Sequence, residues 1–256
     1  MNMKEAVDDD FGNNVYQSFM DLFFTPEITR RKELNILGNE FALQAAQAVF
    51  FPDGRQNLVR LNNEVSAEVK LKPGVNKSID NFWPFTSDVE HVRLNEEQFK
   101  NCGHATLILF RDGYQLSFDF QYNKHICAEH LIVAEEFLKT SKYALENDYL
   151  SAFIDNSFST IELLAKTNLL VEANQHIKIK SDHRGIKSAF NLRFKNSESE
   201  FEINRRRLFN KLSQLRNKAR YLEGEINICN QDAFSIYNTL KDMFDDLNLY
   251  VKSNNS

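Results

Sequence analysis

The period of the apolar residues changes once along this chain, near His125, and that change constrains the fold more than any other feature. Over roughly the hundred residues before it, apolar and polar residues alternate, as in strands that turn one face to a core. After it they recur every three to four residues, as in amphipathic helices. The expectation is an α+β protein, with a β-rich N-terminal module of antiparallel hairpins followed by a C-terminal antiparallel four-helix bundle. A chain of 256 residues is long enough for both domains. Residues 1–12, acidic and containing Asn and Gly, are expected to be disordered, residues 13–124 to form the α+β module and 125–256 the bundle.

Within the first part, Val15 to Phe24 reads as a short helix, with Pro26 and Arg30-Arg31 marking its exit. Ala45 to Phe51 reads as a strand entering the turn Pro52-Asp53-Gly54. Val65, Ala67, Val69 and Leu71 alternate with polar residues, as in a half-buried strand. An aromatic stretch, Asp80-Asn-Phe-Trp-Pro-Phe-Thr86, reads as a loop or edge segment. Ala105 to Phe120 forms a hairpin around Asp112-Gly113, and a two-residue type I′ loop there pairs Leu109 with Leu116, Leu107 with Phe118 and Ala105 with Phe120.

In the second part, Leu131, Ala134, Leu138 and Leu145 line a first helix. Phe153, Ser157, Ile161, Leu164 and Asn168 line a second, which starts after Asp148. Ser181-Asp182 precedes a short third helix carrying Ile186, Phe190 and Phe194. Leu208, Leu212, Leu215, Ala219 and Leu222 form the stripe of a long helix ended by Gly224. A last helix begins near Asn230 with Phe234, Tyr237, Leu240, Phe244, Leu247 and Val251.

Charge is uneven between these parts. Residues 176–222 hold thirteen Lys/Arg against four acids, a local charge of +9, so that the −5 of the whole chain leaves −14 elsewhere. A basic face on an acidic protein suits a phosphate backbone; a solvated helix face paired with Asp232, Asp242, Asp245 and Asp246 of the last helix accounts for it equally well. Three cysteines cannot all pair internally and the chain opens without a basic-then-apolar signal region, which suggests a reducing cytoplasm; no apolar run reaches membrane-spanning length.

The basic segment contains Ser213-Gln-Leu-Arg-Asn-Lys-Ala-Arg-Tyr221. It resembles the signature of the HEPN superfamily, four-helix nucleotide- and RNA-associated domains of bacterial toxins and defence proteins, in which an Arg-Asn precedes a histidine by four to six residues; here Tyr221 stands where that histidine would be. The order of Ala134-Glu-Glu-Phe-Leu138, Tyr143-Ala-Leu145, Leu163-Leu-Ala-Lys-Thr167, Asp182-His-Arg-Gly185 and Leu215-Arg-Asn-Lys-Ala-Arg-Tyr221 is similar to one branch of that superfamily, over residues 128–251. The resemblance implies an RNA- or nucleotide-binding homodimer in a defence or toxin–antitoxin setting, with an antitoxin or other protein as a further partner. It implies no cofactor, and metal-independent RNA cleavage if the protein is an enzyme.

The implied roles have a physical basis. Arg216 would clamp phosphate through its planar guanidinium, Asn217 would position it, and Tyr221 or His183 would assist, His183 being able to supply an imidazole if its loop folds towards Arg216. Alternatively Asp182 and His183 cap the following helix. Arg184, Arg205, Arg206, Lys211, Lys218 and Arg220 would contact the nucleic-acid backbone, or else form a solvated or ion-paired surface. The rival reading is a non-catalytic module whose helices bind a partner protein.

A second constellation belongs to a different chemistry. Cys102 and His104, with His125 and Cys127, bracket the hairpin and could hold zinc tetrahedrally, although their spacings are unusual for structural zinc and a helix starting at His125 would turn Cys127 away.

Overall fold

The computed structural model describes residues 3–75, 82–172, 182–221 and 224–252. Asp80, Asn81, Ser181 and Leu222, invoked above, lie outside them, as do Lys178 and Lys180 of the basic segment. The chain is mixed α+β and divides into two compact units, residues 1–121 and 122–256. Among the described residues no helix is long and apolar enough to cross a membrane.

The first unit opens with α1 (Met3–Phe19), a π-helical turn (Met20–Phe24) and α2 (Thr25–Glu33). The helix thus begins within the stretch expected to be disordered, and Pro26 does not end it. Proline sits in the first turn of α2, directly after the π-turn, and its fixed φ suits a helix.

Four strands, β1 (Ala45–Phe50), β2 (Leu58–Leu61), β5 (Gly103–Leu109) and β6 (Tyr114–Asp119), form an antiparallel sheet in the order β2-β1-β5-β6; β3 (Glu68–Leu71) and β4 (Val89–Arg93) form a separate antiparallel pair. The central β1 is buried along both faces. One face meets α1 and the π-turn: Phe19 stacks on Phe118 with ring centroids 5.6 Å apart, and Phe23 meets Phe50 edge-on at 5.1 Å. On the other face the only polar member of β1, Gln47, satisfies its amide by donating to Ser66 O (2.9 Å) and Thr106 Oγ1 (3.2 Å).

The β5–β6 hairpin is present, but its register differs by two residues from the expected one: Leu109 pairs with Tyr114, Leu107 with Leu116 and Ala105 with Phe118. The connection runs from Phe110 to Gly113, closed by the Phe110 N–H donating to Gly113 O at 2.8 Å. Tertiary contacts override the local turn preference. Asp112 accepts from both the N–H and the hydroxyl of Thr86, each at 2.8 Å, the Arg111 N–H donates to Pro84 O, and Phe110 packs beneath with Val89 and Val92. A slip of two leaves every side chain on its intended face, so the apolar pattern tolerates it.

The second unit comprises α3 (Lys124–Glu146), α4 (Leu150–Val171), α5 (His183–Arg193), α6 (Glu200–Tyr221) and α7 (Asn230–Lys252), whose apolar faces share one core. Helix α4 packs against α3, α5, α6 and α7, which explains why Phe153, Ile154, Ile161, Leu164 and Ala165 are buried around much of its circumference. Asn123 links the start of α3 to the end of α4 by donating to Leu170 O at 2.8 Å. Asp182 caps α5, accepting from the Gly185 N–H at 2.8 Å. On α7 the buried stripe is Ala233, Ile236, Leu240, Met243 or Phe244, Leu247 and Val251. Phe234, expected inside, is exposed, because the three- and four-residue spacing runs through its smaller neighbour Ala233.

Candidate functional site

Helix α4 presents Asp155, Phe158 and Glu162 at three- and four-residue spacing, so they stand one above another on one face. Helices α5 and α6 bring the sequence-predicted residues to that face. The Arg216 guanidinium lies over the Phe158 ring, 4.4 Å from its centroid, and its Nε donates to Asp155 Oδ1 at 3.2 Å. The His183 ring lies 6.1 Å from the same Phe158 ring, and its Nδ1 is hydrogen-bonded to Glu162 Oε1. His183 and Arg216, 33 positions apart in sequence, therefore share one aromatic platform.

A carboxylate can only accept, so Nδ1 is the donor and carries the proton. The neutral ring then keeps Nε2 as its lone-pair nitrogen. The His183 side chain is 62% exposed whereas Glu162 is 13% exposed, so a fixed carboxylate orients an accessible imidazole. Lys187, one turn after His183, donates to Ser213 Oγ at 3.0 Å, and this contact ties α5 to α6 beside Arg216. Further along α4, Lys166 lies beside Glu162 and His130. Burial lowers the pKa of the Lys166 ammonium, partly countered by Glu162, and burial together with Lys166 lowers that of His130.

The other expected site residues have different surroundings. Asn217, Lys218, Arg220 and Tyr221 are exposed on α6, and Arg184 on α5. Five residues of helix rotate Tyr221 about 140° from Arg216, so it does not share the Phe158 platform; Asp155, Glu162 and Lys166, which sequence reading passed over, do belong to that face. Arg205 is buried, stacked 3.5 Å over Phe201 and paired with Asp246 at 2.5 Å. Arg206 donates to Phe194 O (3.1 Å) and Lys195 O (3.2 Å), satisfying carbonyls at the end of α5. These two arginines serve the fold; of the candidate backbone contacts, Arg184, Lys211, Lys218 and Arg220 remain exposed, with Lys211 lying 3.8 Å from Asp232.

The four candidate zinc ligands are each engaged elsewhere. Cys127 faces the core because α3 starts at Lys124; its thiol contacts Thr167 O at 3.8 Å and burial pushes its pKa up to about 12. His125 pairs with Glu129 at 3.2 Å, Cys102 packs with Val49 and Phe99, and His104 Nδ1 is bonded to Thr106 Oγ1 at 2.9 Å. Among the described residues no three His, Cys, Asp or Glu side chains could together hold a metal ion.

Compared with known proteins, the chain matches no family model, no curated protein and no solved structure.

Proposed function

We propose that the helical unit is an antiparallel four-helix bundle of the HEPN type, with α5 as a short insert, and that it binds RNA or nucleotides as a homodimer in a bacterial defence or toxin–antitoxin setting. The observation that carries this reading is the convergence of His183 and Arg216 on the Phe158 ring, each held by a carboxylate of α4. An imidazole with a fixed tautomer beside a guanidinium suits metal-independent cleavage of a phosphodiester. His183 Nε2 takes the proton of a ribose 2′-hydroxyl, the oxygen attacks the adjacent phosphorus to give a 2′,3′-cyclic phosphate, and the 5′-oxygen leaves with a proton from solvent. Arg216 offsets the charge that develops on the phosphoryl oxygens. Asn217 and Tyr221, exposed on the same helix, contact neighbouring nucleotides by hydrogen bonding and stacking.

The test compares wild type with Arg216→Ala, His183→Ala and Tyr221→Phe for degradation of total RNA in EDTA, with oligomeric state followed by light scattering. Cleavage lost in the first two and kept in Tyr221→Phe, with the dimer intact, is the expected result. No cleavage by any form refutes the enzyme reading. The internal use of Arg205, Arg206 and Arg216 favours the alternative, a non-catalytic module that binds a partner protein. Binding that weakens steeply as salt rises supports RNA, and binding insensitive to salt supports the protein partner.

A further inference from the structure

The first unit contains a cleft between its two sheets. Val65, Ala67, Val69 and Leu71, the alternating row of the sequence, form one wall; Ala45 and Ile108, paired across β1 and β5, form the other, and Trp83 stands at the mouth. The cavity measures about 360 Å³ and shares Ala45, Asn62, Trp83, Ile108 and Phe110 with a second of about 480 Å³, where Gln44 and Asn63 join the lining. Both volumes lie in the range of small-molecule sites.

Several features distinguish this cleft from loose packing. Its walls are preformed: Asn62 Oδ1 accepts from the Gln44 and Ala45 N–H groups (2.8 and 3.2 Å) while its Nδ2 donates to Ala42 O, and the Trp83 Nε1–H donates to Leu109 O at 3.1 Å. Trp83 is nonetheless 54% exposed, a large ring fixed in place and only half covered. Among the described residues, no charged side chain lines either cavity. At the outer end the side-chain amides of Gln44 and Asn63 make no hydrogen bond among the described residues.

We infer that this cleft is a binding site for a small, uncharged aromatic or heteroaromatic molecule whose ring enters between the sheets beside Trp83 and whose polar edge meets the amides of Gln44 and Asn63. The described lining is uncharged and its walls are apolar, which disfavours an ion that would lose its hydration without gaining a partner. The Trp83 and Phe110 rings, in contact with centroids 6.2 Å apart, give the lining aromatic faces on which a rigid plane stacks offset, in preference to a flexible chain that would lose rotational freedom on entry. The site is independent of the reading of the helical unit.

Trp83 is the single tryptophan of the chain, so its emission reports this site alone. The full-length protein is titrated with benzamide and quinoxaline as uncharged planar probes, benzoate as the charged analogue of benzamide, and hexanamide as a flexible uncharged amide. Saturable changes with dissociation constants on the order of 1 mM are expected for the planar neutral probes, the affinity suited to molecules of that size. Benzoate and hexanamide should bind at least about tenfold more weakly. Ala67→Phe, which fills the cleft, should abolish the response; Ile108→Phe does the same by filling from the opposite wall and serves if Ala67→Phe fails to fold by circular dichroism. No saturable response to either planar probe, equal binding of benzoate or hexanamide, or unchanged binding in a folded filled variant each overturns the proposal.

Discussion

Asp155→Asn should make the helical unit bind RNA more tightly while costing little stability. In the free protein Asp155 occupies Arg216 at 3.2 Å, with side-chain exposures of 37% and 19%. A phosphate arriving at the guanidinium must displace that carboxylate and then sit near its charge. A solvent-accessible pair of this kind is worth about 0.2–1 kcal/mol, and a unit charge about 6 Å from the phosphate in water-like surroundings adds about 0.7 kcal/mol of repulsion. Removing both effects corresponds to an affinity gain of about 5- to 20-fold at low salt, shrinking as salt screens the charge. Urea unfolding should register a loss no greater than about 1 kcal/mol. The assay is filter binding of an end-labelled RNA oligonucleotide to wild type, Asp155→Asn, Arg216→Ala and the double variant. Tighter binding by Asp155→Asn that disappears in the double variant is the expected pattern. If folded Asp155→Asn binds no better than wild type, phosphate does not land on Arg216 and the reasoning fails.

Three further outcomes follow from other contacts. Glu27 accepts from Arg30 at 2.7 Å and Arg31 at 2.6 Å, and these partners, the Arg30 hydrogen bond foremost, hold its carboxyl at about 2 against an ordinary 4.5. Its contribution is therefore present above pH 4.5 and lost as pH falls through 2; Glu27→Gln should cost about 1 kcal/mol at pH 7 and nothing near pH 2, and a pH-independent cost by thermal unfolding would count against the assignment. Native protein treated with iodoacetamide should be alkylated first at exposed Cys229, with Cys127 inert until unfolding because burial keeps its thiol protonated to about pH 12; early labelling of Cys127 by mass spectrometry would contradict its placement. Arg205→Met should leave RNA affinity unchanged and destabilise less than Asp246→Ala, since the latter strands a buried guanidinium, at a cost of about 1–3 kcal/mol given the exposure of Asp246. A fall in RNA affinity in Arg205→Met would return this arginine to the binding surface.

Local signals were readable wherever a residue's role depends on its immediate neighbours. The change of period near His125 anticipates the passage from strands to helices, and Asp182 ahead of Gly185 is legible as a cap. The hairpin register was missed by two residues because Thr86, a sequence-distant partner, takes Asp112. Arg216 stood out from its motif, but Asp155 and Glu162 look like ordinary polar positions of a helix. Only the packing of α4 against α5 and α6 reveals that they hold an arginine and a histidine. Arg205 and Arg206 were indistinguishable from Arg207 in a run of three, and helical phase alone turns the first inward, the second to the end of α5 and the third to solvent.

The eleven-residue α5 is too short to be stable as a helix by itself. Its surroundings fix it along its length, through Lys187 to Ser213, the reciprocal amide pair of Asn191 with Asn210 (3.1 and 2.8 Å), and Arg206 on its last carbonyls. These restraints from α6 are joined by others from α4, where His183 meets Glu162 and Arg193 pairs with Glu172 at 2.6 Å. Native-state hydrogen exchange should therefore find the amides of α5 opening together, at a lower free energy than those of α4. His183 rides on that opening unit, so the imidazole leaves the Phe158 platform whenever α5 opens, while Arg216 stays behind on the more persistent α6.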